Sequence, residues 1–300
     1  MFGGKNKNAR RPIGVAVGLR EVLLAQAGPG GQGDAMIASA HAPLPEGAAP
    51  GKPGYDEQLT HAIGQALKQG PFSGKLAVSA MPAASLLYKN VRLPKMPEPE
   101  LDQAVAWEAK ERVVLGEPAA VQFYYAGEVR QGQDARCEVI LLAAKQSRVD
   151  EHLRGIVGAG LTPTAIDATG AALARSVTQQ DETTFTIFTD TTHIEVVIAQ
   201  AGRVLLDKLL PLSEGGIEQS DPAELAREIG LCLRYHSVTF RGERPEQVAL
   251  RGAPMPAALS EAIAAALGLS LVDAGDAGRF AVPAGLSLRQ QDAQTKRGAA

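Results

Sequence analysis

Residues 12–22 read PIGVAVGLREV, with Gly14 and Gly18 bracketing Val15, Ala16 and Val17. Glycines at the end of a first strand permit a tight turn whose backbone N–H groups can approach an anion. The chemistry this suggests is nucleotide phosphate binding. The side chains that would complete it are missing, because no Lys, Ser, Thr or Asp stands at the turn and the nearest charge is Arg20. A simple hairpin would use the same two glycines for turn chemistry alone. The second glycine-rich stretch, AGPGGQGDA (27–35), lacks the Gly-Lys-Ser/Thr ending of a phosphate-binding loop and is expected to be a turn.

The other chemistry-bearing residues are sparse. The five histidines (41, 61, 152, 193 and 236) show no metal-ligand spacing with cysteines or carboxylates, and nothing groups Ser, His and Asp for nucleophilic catalysis. Cys137 and Cys232 lie inside apolar runs and read as buried free thiols of a reducing compartment. One charged pair stands out. Pro97 and Pro99 with Glu98 and Glu100 open a helix running to about Val113, whose apolar stripe is Leu101, Ala104, Val105, Ala109 and Val113. Glu108 falls inside that stripe with Arg112 one turn later, and a carboxylate on a packed face must be paired. Either it forms a local ion pair or it anchors something docking there. Trp107, the only tryptophan, lies at the stripe's edge and is expected to be core.

These residues must be positioned by a chain of 300 residues, 45% hydrophobic, with net charge −3. That is enough for one large domain or two medium ones, and the charge balance gives no nucleic-acid footprint. No apolar run approaches a membrane span and no secretory signal is visible, so a cytoplasmic protein is expected. A basic tail (1–11, with Lys5, Lys7, Arg10 and Arg11) precedes a strand meander. A helix over roughly Tyr55–Gln69 follows, with Leu59, Ile63 and Leu67 on one face, and then a buried strand at 75–81. ARCEVILLAA reads as a strand buried on both faces. From Thr183 a second meander begins (TFTIFTD, HIEVVIAQ, RVLLDKLLP), followed by a long helix from Asp221-Pro222 to about Phe240 and strand–helix–strand units. Each half therefore opens with a meander and adds helix and strand units, the α/β pattern of the actin-like ATPase (ribonuclease H-like) fold. The expected division is a first lobe at 12–180, with a small α+β subdomain inserted at 82–146, and a second lobe at 181–300 whose closing element returns to the first.

The run VRLPKMPEPELDQAVAWEAKERV (91–113) resembles the signature of the type IV pilus assembly protein PilM family. LPEGAAPGK (44–52), VILLAAKQSRVDEHLRGIVGAGLTPTAIDATGAALARS (139–176) and GLSLR (285–289) extend the likeness in the expected order. The resemblance implies an FtsA-like actin fold. It also implies a cytoplasmic protein brought to the inner membrane, as a peripheral component, by the cytoplasmic N-terminal peptide of a PilN-like partner. It implies two nucleotide loops, only partly kept. Gly14 and Gly18 match the first, with Ala16 at the aspartate position and Leu19-Arg20 at its hydroxyl end. Asp190, Thr191 and Thr192 correspond to the second, and Gly252 (followed by Ala253) to the adenosine-side Gly-Gly. With one of two acidic positions gone, Mg²⁺-assisted hydrolysis loses its electrostatic basis.

The leading expectation is an adaptor of a type IV pilus or related type II secretion machine, without ATPase activity, with ATP or ADP and Mg²⁺ at most as a structural ligand. A working actin-fold ATPase or kinase is the alternative, which Ala16 opposes. An FtsA-like division protein is a further one, disfavoured by the polar ending RQQDAQTKRGAA. The peptide-binding groove is placed at Leu93, Trp107, Glu108 and Arg112, and the partner's peptide is expected to be mostly apolar. No nucleic acid, membrane span or resident metal is expected, while self-association is compatible with the sequence.

Overall fold

The computed structural model describes residues 10–28, 35–177, 182–212 and 216–289. The basic start up to Ala9, the centre of the AGPGGQGDA loop and the polar ending from Gln290 lie outside the described residues. Arg11, assigned to the tail, is instead packed, its guanidinium donating to the Leu288 carbonyl at 3.3 Å.

In chain order the elements are β1 (Ile13–Val17), β2 (Glu21–Ala27), β3 (Met36–Pro43), α1 (Tyr55–Leu67), β4 (Leu76–Ala80), β5 (Leu87–Pro94), α2 (Glu98–Arg112), β6 (Ala119–Gln131), β7 (Asp134–Lys145), α3 (Gln146–Gly158), β8 (Thr162–Asp167) and α4 (Thr169–Val177). They continue with β9 (Thr183–Thr189), β10 (His193–Gln200), β11 (Arg203–Pro211), α5 (Pro222–Thr239), β12 (Gln247–Gly252), α6 (Ala257–Leu267), β13 (Ser270–Asp273), α7 (Asp276–Arg279) and α8 (Ala281–Ser287). Their described residues fall into two compact units: 10–83 with 147–176 and 280–289, and 84–146 with 177–279.

The first unit is built on a sheet of order β3-β2-β1-β4-β8. β1, β2 and β3 pair antiparallel, whereas β4 joins β1 and β8 joins β4 in parallel. Hairpins need only short turns, but parallel neighbours need a crossover, which α1 and α3 supply. The fully apolar IGVAV of β1 is buried throughout because it is the central strand. Leu59, Ile63 and Ala66 of α1 pack on Val15, Val22 and Leu24 in one core. The last helix, α8, packs on this unit. The Ser287 hydroxyl donates to the Pro12 carbonyl at 2.7 Å and accepts the Ala27 N–H at 2.9 Å, fastening α8 to β1 and β2.

The second unit repeats the plan with a sheet of order β11-β10-β9-β12-β13, antiparallel in its first three strands and parallel in the rest. Ala201 and Gly202, both at positive φ (49° and 74°), make the two-residue turn that joins β10 to β11. α5 and α6 cover one face through Leu225, Ile229, Leu233, Leu259 and Ile263, packed on Ile187, Ile194 and Val196.

The same unit contains the small sheet β5-β7-β6, antiparallel throughout. Period-2 alternation assigns its two faces. Val91, Leu93, Cys137, Val139 and Leu141 point to α2 and meet Leu101, Val105 and Ala109. Asn90, Arg92 and Glu138 occupy the other face, and there Glu138 accepts from Arg92 Nε at 2.6 Å and from the Tyr235 hydroxyl of α5. Chain position suggested that 82–146 belongs with the first lobe. The packing groups 84–146 with 177–279, and on this face the buried Glu138 accepts from Tyr235 of α5.

Candidate functional site

In the first unit the glycine-bracketed stretch is a hairpin. The Gly18 N–H donates to the Glu21 carbonyl at 3.0 Å, so the amide best placed to meet an anion is used inside the turn. Gly14 is required by packing, since a Cβ there would lie 1.9 Å from the Pro283 carbonyl oxygen of α8. Glycine here lets α8 pack directly on β1. Ala16 is buried between Leu23 and Ala80 on the flanking strands. Arg20 has an exposed side chain at the tip, its carbonyl accepting the Leu44 N–H at 2.8 Å, and Glu21 beside it lies 3.4 Å from His41.

In the second unit the expected residues do come together. Asp190, Thr191 and Thr192 form the turn between β9 and β10. The Asp190 carboxylate accepts the Thr191 N–H at 2.6 Å and lies 3.3 Å from the Thr191 hydroxyl, folding the acid back on its own turn. It also lies 3.9 Å from His193 Nδ1. Burial holds the His193 pKa below its ordinary value, and Asp190 opposes that shift. The Thr192 hydroxyl lies 3.3 Å from the same nitrogen, and the Thr192 carbonyl accepts the Leu212 N–H at 3.0 Å.

Gly252 ends β12 with φ +88°, where a Cβ would stand 2.2 Å from the Thr189 carbonyl oxygen, and Ala253 N–H donates to that same oxygen at 2.8 Å. Only glycine fits, for a backbone reason: β9 and β12 approach closely where they end. Gly216, at φ +66°, has its Cβ position 3.2 Å from the Thr191 carbonyl. The 190–192 turn, Gly216 and Gly252-Ala253 therefore share the C-terminal ends of adjacent parallel strands, where open α/β sheets take ligands. Such a site can offer backbone polar groups and threonine hydroxyls. It fits a divalent metal poorly, since the one carboxylate it has among the described residues is engaged by its own turn. Among the described residues no group of three or more His, Cys, Asp or Glu could hold a metal.

The four groove residues separate. Leu93 is buried beneath α2 as core. Trp107, expected in the core, is instead 62% exposed on the outer side of α2. Glu108 pairs with Arg112 on its own helix, the local ion pair weighed in the sequence. Lys89 Nζ donates to the Arg112 carbonyl at 2.8 Å, tying β5 to the last turn of α2. β5 itself pairs only with β7, so its second edge carries no strand among the described residues.

The profile of the family described as type IV pilus assembly protein PilM matches residues 14–201, well over half of the chain. The chain belongs to the type IV pilus assembly protein PilM family. Its solved structural relatives show the actin-like fold. One described as the PilM–PilN type IV pilus biogenesis complex is 21% identical, covering 93% of this chain and 98% of that one with TM-score 0.75. A Bacteroides thetaiotaomicron protein with actin-like ATPase fold and unknown function is 8% identical, covering 96% of this chain and 100% of its own, with TM-score 0.56. The ethanolamine utilization protein EutJ from Carboxydothermus hydrogenoformans is 11% identical, with 95% and 91% coverage and TM-score 0.55. Among curated proteins none matches.

Three buried carboxyl groups or pairs of this PilM-family chain escaped the sequence reading. Glu138 is the hub already described. Asp167, at the end of β8, meets Arg175 at 2.5 Å and Arg289 at 2.8 Å and accepts the Ala168 N–H at 3.0 Å. Glu195 on β10 and Asp207 on β11, respectively 0% and 4% exposed, lie within hydrogen-bonding reach of each other. That contact requires a proton on one of them. Burial pushes the Asp207 carboxyl up to about 6. Tyr88 of β5 adjoins the pair, its buried hydroxyl without a hydrogen-bond partner and its pKa raised well above the usual by burial and then by the two acids. The available signal was a lone acid inside an apolar strand run: HIEVVIAQ, RVLLDKLLP, RCEVILL and TAIDA.

Proposed function

We propose that this chain is a cytoplasmic scaffold of the type IV pilus assembly platform, held at the inner membrane by the cytoplasmic N-terminal peptide of a PilN-like protein, and that its nucleotide site no longer supports hydrolysis. The observation that carries the proposal is the family match across β1 to β10, which spans the small sheet and α2. A solved relative of the same fold is described as a complex of PilM with PilN. No helix among the described residues is long and apolar enough to cross a membrane, which suits attachment through a partner.

The open edge of β5 is the peptide's place in this reading. An extended peptide adds there by backbone hydrogen bonds, with pockets for alternate side chains. The Glu108–Arg112 pair at the last turn of α2, tied to β5 through Lys89, supplies the polar flank. Leu93 acts indirectly, by seating α2 on the sheet.

Against hydrolysis stand the buried Ala16, the Gly18 amide spent within its hairpin, and an Asp190 already turned onto Thr191. ATP or ADP would be held, if bound, by the backbone at 190–192, Gly216 and Gly252-Ala253 and by the threonine hydroxyls.

The test titrates a fluorescein-labelled peptide, the N-terminal cytoplasmic segment of the PilN-like protein from the same organism, into the purified chain. Saturable binding is expected in wild type. It should weaken at least fivefold in Glu108→Ala, with the melting temperature within about 2 °C of wild type because an exposed i,i+4 pair stabilises by only about 0.5 kcal/mol. Absence of peptide binding overturns the scaffold reading. Phosphate release with ATP and Mg²⁺ is expected at background in wild type and in Ala16→Asp. Robust Mg²⁺-dependent release by wild type overturns the second clause.

A further inference from the structure

The outward side of α5 is built unlike an ordinary solvated face. Its exposed residues include Arg227, Leu231, Arg234 and Val238, spaced by four, three and four residues. At 3.6 residues per turn those positions lie along one line, and they follow the alternating four-three rhythm of a coiled-coil seam. Leu231 is 48% exposed and Val238 74%, one heptad apart, while Arg227 and Arg234 are one heptad apart between and beside them. Arg227 shares its charge with the adjacent Glu228, 2.9 Å away. Arg234 makes no ion pair with a described residue. Beyond the helix, Arg241 adds a further exposed cation from a backbone at φ +55°, the left-handed position after a helix end that normally takes glycine. The opposite side of α5 is spent on the core through Leu225, Ile229, Cys232 and Leu233, so this stripe is what the helix offers to another molecule.

We propose that the α5 stripe docks an amphipathic helix of a second protein, one carrying aliphatic and acidic residues in the same four-three spacing. The aliphatics pack against Leu231 and Val238, and the acids meet Arg234, Arg227 and Arg241. Charge complementarity selects this occupant over the alternatives. A second copy of the chain would bring arginines against arginines, a like-charge juxtaposition that opposes self-pairing. The chain's own ends are basic, with Lys5 and Lys7 at one and Lys296 and Arg297 at the other, so neither complements the stripe. This surface is distinct from the β5 edge and takes a helix rather than an extended peptide. A scaffold with both would join two proteins at once.

The experiment uses the full chain and two labelled synthetic peptides of four heptads. One has Leu and Glu alternating at the two seam positions, and the other has Leu and Lys. Fluorescence anisotropy should show the acidic peptide binding at least tenfold more tightly than the basic one, weakening further in 0.5 M salt. Arg234→Glu should weaken the acidic peptide at least tenfold and favour the basic one, while Leu231→Asp should abolish both. These residues are exposed, and an unchanged melting temperature confirms intact variants. Equal binding of both peptides, no binding of the acidic one, or an unaffected Arg234→Glu overturns the proposal. Two further outcomes also overturn it. The first is binding to phosphatidylglycerol–phosphatidylcholine vesicles, lost in Arg234→Glu, without peptide binding. The second is a wild-type dimer in sedimentation that the same variant dissolves.

Discussion

Replacing Asp207 by asparagine is expected to stabilise the protein at neutral pH. Asp207 is almost wholly buried, and its carboxyl faces Glu195 with Tyr88 close by. Burial raises its pKa from the ordinary carboxylate value to about 6, only partly offset by the contact with Glu195. The folded form thus binds more protons than the unfolded chain between about pH 4 and pH 6, so stability falls as pH rises through that window and is level above it. At 1.36 kcal/mol per pKa unit the ionised side chain costs about 3 kcal/mol at pH 7.5. An asparagine of the same shape carries no charge, and its amide can donate to the Glu195 carboxylate. By calorimetry the variant should melt roughly 6–12 °C higher at pH 7.5, taking roughly 2–4 °C per kcal/mol for a unit of this size. At pH 3, where Asp207 is mostly protonated in both states, the two proteins should melt within a few degrees of each other. A variant that melts lower at pH 7.5, or whose advantage is the same at both values, would refute the shared-proton account and make the pair a contact the fold needs charged.

Other consequences follow from the packing of the first unit. Gly14→Val should cost about 3 kcal/mol or more, because its Cβ meets the backbone of Pro283 rather than a side chain that can move; urea unfolding measures it. Asp167→Asn leaves Arg175 and Arg289 without their shared counter-charge and should cost about 3 kcal/mol in the same assay, while Arg289→Lys keeps a charge and loses less.

The architecture was legible because its rules are local. Alternating and continuous apolar runs announced the strands, and Asp221-Pro222 announced α5. The site was less legible, because glycines and acids do several jobs. Gly14 and Gly252 look like anion-binding glycines in sequence, and each is fixed by a backbone clash with an element far along the chain. Leu93 and Trp107 were assigned one surface, but the helical period leaves unsettled which side of a stripe's edge is covered, and Trp107 falls on the open side. The pairing of Glu195 with Asp207 needs the β10–β11 register, with Val197 opposite Asp207, which a turn at Ala201-Gly202 sets but a list of residues does not reveal.

Buried His152 in the first unit and buried Asp207 in the second should answer acid in opposite directions. In the first unit His152 of α3 is buried, with its Nε2 3.0 Å from the Ser79 hydroxyl and its Nδ1 without a partner, and burial alone lowers its pKa to about 4. A histidine held neutral binds fewer protons folded than unfolded, so its contribution is complete above about pH 6.5 and is lost as pH falls toward 4. The full loss is about 3 kcal/mol, the same size as the Asp207 effect and of opposite sign. In the second unit His193 and His236, whose pKa values burial also lowers, act in the same direction as His152, so the Asp207 gain is read locally. Amide hydrogen exchange read by fragment resolves this. Relative to pH 7, and after correction for the intrinsic exchange rate, β4 and α3 should lose protection at pH 4.5, and β11 around Asp207 should gain it relative to Asp207→Asn. His152→Gln, which keeps a donor for Ser79, should flatten the first response and leave the second intact. Parallel changes at both sites, or an unaltered first response in His152→Gln, would show that pH acts through the global charge and not through these two buried groups.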